Sequence, residues 1–400
     1  MTNNVARLTM VFSGIAHLFS HLLTLLYGTV VLVLPSVFNV TYGEMLGIAW
    51  LGIAMMGFGA LPAGWLGDRW SQVGMMGVFF IGTGVATMAT GLANSPAQIA
   101  IGLFFIGLFA SIYHPVGVAW LIRNAKRRGE ALGVNGIFGA AGVGGAAIVA
   151  GALTDIAGWR FAFLVPGALC FLSGLAFLGY VWRGDIRDTV ADATNYQAAT
   201  RGDVTRVFAI VFLVIFCGGM IAQTGQYVMP KLLSVGWSDW VQGSTLRAGV
   251  LTAAVFSVSM IAQYVSGRLA DRYPLKWVYG GAYLLQAPVI LFAAIAGGPL
   301  FVALMALMIS ANSGSLAPEN AIIARYASGK WRSMVFAAKF VVGLGFTALI
   351  VTVVGKMYDH FSGFTEILLL LGGFALVSLI AISLMPFERH EDAIVTAPAE

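Results

Sequence analysis

Charge is what this chain has least of. Only 10% of its 400 residues are Asp, Glu, Lys or Arg, while 59% are hydrophobic. A water-soluble fold built from that mixture has too little polar surface to cover its exterior, which leaves an all-α, polytopic membrane protein. Cysteine is equally scarce: Cys170 and Cys217 both fall inside apolar runs, as small buried hydrophobes do, and neither a disulfide framework nor a cysteine metal cluster can be built from them. The chain lacks a GxxxxGK[ST] run, so nucleotide hydrolysis is not its energy source. It also lacks a nucleophile elbow, a CxxC and an HExxH; neither an enzyme nor a cofactor is expected. A cleavable leader is not recognisable either. The apolar run after Arg7 continues to Pro35, longer than a signal-peptide core, and is read as the first span.

Glycine, by contrast, is abundant: 50 residues are scattered along the chain, where small side chains let membrane helices approach closely. Apolar segments of about 20 residues, enough to cross a bilayer, can be placed at 8–34, 44–66, 73–93, 97–122, 130–153, 160–182, 205–230, 244–268, 276–296, 299–324, 332–356 and 363–385. That gives twelve transmembrane helices in two six-helix bundles: 1–182, a cytoplasmic linker over 183–204, 205–385, and a polar tail over 386–400. With the N-terminus in the cytoplasm, 17 basic residues fall on inside segments and four, Arg160, Lys231, Arg247 and Lys356, on outside ones. This bias follows the positive-inside rule and places both termini in the cytoplasm. The net charge of +5 is spread between spans rather than gathered into a patch, so no nucleic-acid partner is expected.

The halves repeat. GWLGDRWSQ at 64–72 returns as GRLADRYPL at 267–275, which matches Asp68 and Arg69 to Asp271 and Arg272 at an offset of 203. Arg128 matches Arg332, and Asp155 in TDIAGWR matches Asp359 in YDHFSG, both at 204. Such parallel repeats characterise one large class of transporters. On the residues of these two loops, Gly64, Asp68, Arg69, Gly267, Asp271 and Arg272, and on AGWRFAFLVPG after the fifth span, the whole chain resembles the major facilitator superfamily. Ser71 and Gln72 stand where that pattern has glycine and a basic residue. The resemblance implies a transporter that alternates between inward- and outward-open states, with the two DR loops as cytoplasmic gating elements and spans one, four, seven and ten around a central cavity. ASIYHPVGVAWL in span four, the His-rich first span and APENAIIARY in span ten are similar to the fosmidomycin-resistance-like branch, which implies proton-driven export of a small organic compound across a bacterial inner membrane.

A charge inside a membrane costs roughly 2.5–3.5 kcal/mol on insertion scales, so polar groups there mark cavities or partners. His17 and His21, four residues apart, share one face of span one. Proton coupling, helix-to-helix hydrogen bonding and metal ligation all suit them. His114, before Pro115 in span four, either lines the cavity or satisfies a carbonyl freed by the proline. Glu319 lies six residues before Arg325 and Lys339 seven after Arg332; both sit about 9–10 Å in from the cytoplasmic side at 1.5 Å per residue. An ion pair is expected, either a permanent bridge or one that proton or substrate breaks. In the repeat, Glu319 corresponds to Pro115 and Lys339 to Asn135. Gln223, Gln226 and Tyr227 in AQTGQYVMP of span seven are cavity or helix-contact candidates, and NGIFGAAGVGG in span five is a glycine face.

Three functions stand open. The first is a secondary, proton-coupled exporter of a small organic molecule, working as a monomer in the lipid bilayer. The second is a divalent metal exporter with His17, His21, His114 and Glu319 as ligands. The third is a non-transporting membrane receptor on the same fold.

Overall fold

The computed structural model describes residues 3–125, 127–188, 204–327 and 332–386. Most of the expected linker, all of the tail beyond Pro386, and the side chains of the repeat pair Arg128 and Arg332 lie outside the described residues. All regular structure within them is helical. Eleven helices are long and apolar enough to cross a membrane: α1 Val5–Val30, α2 Tyr42–Arg69, α3 Gln72–Gly91, α4 Pro96–Asn124, α5 Gly129–Ala157, α6 Phe161–Trp182, α7 Val204–Gly236, α8 Thr245–Ala270, α10 Gly298–Tyr326, α11 Met334–Phe361 and α12 Thr365–Ser383. The twelfth expected span is also a helix, α9 (Leu275–Ala293), 19 residues long but less apolar than the rest.

The reason lies on one face of α9. Lys276, Tyr279, Tyr283 and Gln286 recur at spacings of three and four, and all are buried, so each needs a partner inside the protein. The Lys276 Nζ donates to the carbonyls of Ser383 and Met385 at the end of α12, at 2.9 and 2.6 Å, where cationic groups also suit the helix dipole. The Gln286 amide donates to Met308 O on α10 at 3.1 Å. The polar face of α9 is therefore internal.

Helix starts follow local chemistry. Thr41 and Glu44 form a capping box at α2, and Ser95 with Pro96 opens α4. Ser71, the departure from the family pattern, caps α3: its Oγ accepts from Gly74 N at 2.6 Å and donates to Asp188 at 2.5 Å.

Two aspartates join helices across the repeat. Asp155, ending α5, accepts from Ser244 Oγ (2.7 Å), Thr245 N (3.2 Å), Thr245 Oγ1 and Leu246 N (3.0 Å) at the start of α8. Asp359, near the end of α11, accepts from Thr41 Oγ1 at 2.6 Å and Gly43 N at 3.0 Å at the start of α2. Each carboxylate faces the unsatisfied N–H groups of a helix N-terminus, where negative charge is favoured. Both latches lie at the end of the bundle opposite the start of α1 and the end of α12. From Asp155 inward, α5 and α8 touch at Gly151 and Gly249 and again at Gly144 and Ala253, whereas β-carbons at Gly133, Gly136 and Gly267 would meet no neighbouring helix within 4 Å among the described residues.

Asp155→Ala should lower stability by roughly 0.5–2 kcal/mol, the cost of losing a helix-capping acceptor at a partly solvated site, and Asp359→Ala, with fewer bonds, by less. Thermal unfolding in detergent checks this; identical melting temperatures for wild type and Asp155→Ala would dismiss the latch.

Candidate functional site

Three imidazoles converge between α1 and α4. His17 and His21 lie 5.1 Å apart, ring centroid to centroid, and the His114 ring stands 5.6 Å from the first and 5.3 Å from the second. Pro115 explains how His114 gets there. It has no N–H to give, and α4 takes a π-helical turn over Tyr113–Gly117. That turn presents both Tyr113 and His114 to α1, and Tyr113 stacks on His17 at 4.8 Å.

The third wall is the glycine face of α5. A β-carbon at Gly139 would come within 2.8 Å of His17 Nδ1, so this glycine makes room for the ring, and one at Gly142 would come within 3.1 Å of the His21 Cβ and closer still to the Leu18 carbonyl, so this glycine lets the α1 backbone approach. From the same helix, Asn135 O bonds His17 Nδ1 at 2.9 Å. Because a carbonyl only accepts, Nδ1 carries the proton and Nε2 keeps a free lone pair. The Asn135 side chain accepts from Tyr113 OH at 2.8 Å and donates to Ser13 Oγ at 3.0 Å, fixing that carbonyl in place. Among the described residues no hydrogen bond to the rings of His21 or His114 occurs, and all three histidines are half-buried. Across the interface His114 stacks on Phe340 of α11 at 5.7 Å.

Phe340 adjoins the second polar cluster. The expected pair forms: Lys339 Nζ lies 2.7 Å from Glu319 Oε1, with side chains only 14% and 5% exposed. Two groups that the sequence reading missed complete it. Tyr279 OH of α9 donates to the other carboxylate oxygen at 2.7 Å, and Lys339 Nζ also donates to Asn320 Oδ1 at 2.6 Å. The regular polar spacing on α9 was the available signal for Tyr279. Glu319 is therefore engaged here and does not join the histidines as the metal-ligand expectation has it: among the described residues, the group whose ligand atoms lie within 4.8 Å of one another consists of His17, His21 and His114.

The span-seven residues do not gather with either cluster. Gln223 and Tyr227 are buried, Gln226 is half-buried, and the Gln223 amide nitrogen has no partner among the described residues. Tyr227 meets α1 closely, since a β-carbon at Gly28 would come within 2.8 Å of its carbonyl oxygen. In the loop motif, Asp68 pairs with Arg123 of α4 at 3.2 Å, Arg69 lies 5.8 Å from the Trp65 ring, and Gly64 faces Pro115 at 3.4 Å from a would-be β-carbon. In the second copy Asp271 ends α8, and Arg272 N bonds Leu269 O at 3.1 Å.

Comparison with known proteins agrees with this architecture. The chain is 28% identical over 248 residues to the puromycin resistance protein pur8 of Streptomyces alboniger and 26% identical over 270 residues to the probable sulfoacetate transporter SauU of Cupriavidus necator. Each alignment takes in 60% of this chain, and the chain spans 45% and 59% of the length of these two relatives. Among solved structures, a bacterial homolog of the human lysosomal transporter Spinster, inward-facing and unoccupied, superposes with a TM-score of 0.73 at 14% identity over 96% of this chain and 95% of that one. A D-xylose–proton symporter gives 0.73 at 15% identity over 94% and 96%; likeness at this level concerns the fold. The family profile matches residues 14–255 and 241–400, and the chain belongs to the Major Facilitator Superfamily of membrane transporters.

Proposed function

We propose that this protein is a proton-coupled exporter of a small organic compound, working by alternating access in a bacterial inner membrane with both termini cytoplasmic. The observation that carries the reading is the buried Glu319–Lys339 pair. A carboxylate and an ammonium taken out of water hold one another in place, and a proton arriving at Glu319 removes one charge and leaves the other uncompensated. That is a large change from a single proton, at a seam between α9, α10 and α11. It biases one arrangement of helices over another.

The remaining parts fit around that step. The six-helix bundles 1–182 and 205–385, joined by the segment 183–204, are the moving bodies. The Asp155 and Asp359 latches hold their outer ends together, and outward opening requires both to break. His17, His21, His114 and Asn135 line the path from the first bundle, with Gln223, Gln226 and Tyr227 on the second. The DR loops, ending at Arg69 and Arg272, close the cytoplasmic side in the alternate state. Resistance to puromycin in the name of one relative supports export of an organic compound, as does the likeness of spans four and ten to the fosmidomycin-resistance-like branch. The distribution of basic residues supports the orientation. The metal-exporter reading loses the carboxylate on which it drew, because Glu319 is bonded to Lys339 and Tyr279.

In proteoliposomes with an imposed proton gradient, and puromycin and sulfoacetate as first compounds, Glu319→Gln should abolish gradient-driven accumulation while leaving counterflow exchange. Full gradient-driven accumulation by that variant would end the coupling role. Stability gives a second check: Lys339→Met alone should cost about 3–5 kcal/mol, and Glu319→Leu/Lys339→Met far less, since breaking a buried pair is worse than removing it. Equal losses in the single and double variants would count against a buried, uncompensated charge.

A further inference from the structure

We propose that His17, His21 and His114 form a binding site for a divalent transition-metal ion of the zinc class. The inference rests on the geometry of α1, α4 and α5 and not on the transport reading. Two histidines at i and i+4 on one helical face are a recurring bidentate arrangement for zinc, and His114 supplies a third nitrogen from a second helix. The three ligand atoms already lie within 4.8 Å of one another. A tetrahedral ion with Zn–N bonds of about 2.0–2.1 Å holds its nitrogens about 3.3 Å apart, so side-chain rotation must close the set by at most about 1.5 Å.

What surrounds the rings argues for ligation over simple packing. Metal-bound histidines characteristically give their other N–H to a carbonyl or carboxylate that sets the tautomer. His17 has this partner in Asn135 O at 2.9 Å, which leaves Nε2 as the free donor atom. Asn135 is itself held by Tyr113 and Ser13. The rings of His21 and His114 have no competing hydrogen bond among the described residues. Gly139 leaves room for the His17 ring, which any larger side chain would displace, and Gly142 lets α5 approach the α1 backbone beside His21.

The donor set also selects the ion. Three imidazoles without an oxygen ligand suit zinc, cobalt, nickel or copper and not magnesium or calcium. The ligands are neutral, so the ion keeps its two positive charges and an open fourth position. Water, chloride or the anionic group of a bound compound would fill that position.

The test is binding to the purified full-length protein carrying an affinity tag without histidine. Calorimetry with Zn2+ should give one site per chain, and Co2+ should develop the visible absorption of a four-coordinate ion; Mg2+ should do neither. His17→Ala/His21→Ala should abolish both signals, and His114→Gln should remove the four-coordinate Co2+ band. Gly139→Ala, which keeps all three ligands but crowds the His17 ring, should weaken Zn2+ at least about tenfold, as changes outside the ligand set do. Size exclusion and melting temperature identify which variants are folded. Absence of Zn2+ binding in the wild type, or undiminished binding in a folded His17→Ala/His21→Ala or His114→Gln variant, would overturn the site.

Discussion

Close approach of helices at glycine sets the distances on which the two aspartate latches and the histidine cluster depend. Lipid offers no hydrophobic drive to press helices together, so packing of small residues must do it. Gly43 against Gly355 brings α2 to α11, and only then can Asp359 reach the α2 N-terminus. Gly151 and Gly249 do the same for α5 and α8 beside Asp155. At Gly142 the neighbour is again backbone, the Leu18 carbonyl of α1, while at Gly139 the space is filled by the His17 imidazole. One residue type thus serves both as the means of sealing the bundle and as the mould for its histidine cluster.

The two polar clusters occupy equivalent places in the repeat. Pro115, beside His114, corresponds to Glu319, and Asn135, which orients His17, corresponds to Lys339. One set of positions has become a group of imidazole rings with His17 held by a backbone carbonyl, the other a charged pair. His114 on Phe340 brings them to a common seam. In this way a duplicated fold acquires two different chemistries at one depth.

Much of this was legible in the sequence where the signal runs along the chain. Hydropathy placed the spans, the depth argument paired Glu319 with Lys339, and the fixed offset matched Asp155 with Asp359 without saying that each caps a helix of the other set. What stayed hidden depends on how helices turn toward one another. His114 joins His17 only because Pro115 draws α4 into a π turn, and Asn135 acts on His17 through its backbone carbonyl, which carries no residue-type signal. Tyr279 was passed over because an aromatic residue in an apolar run reads as packing, although its regular spacing with Lys276, Tyr283 and Gln286 marked a bonded face.

That face of α9 bears on how the protein is made. Chains enter the membrane from the N-terminus, so α9 arrives before the Ser383 and Met385 carbonyls that receive Lys276, and before Met308, which receives Gln286. On first contact with lipid its polar side chains have no partners, and an unpartnered hydrogen-bonding group in hydrocarbon is costly. The segment is therefore a poor candidate for independent insertion. It has to wait in a sheltered place at the insertion machinery, or enter as a hairpin with α10, until the rest of the set is synthesised. The side chains that make α9 a poor lone inserter are the same ones that tie it into the finished bundle.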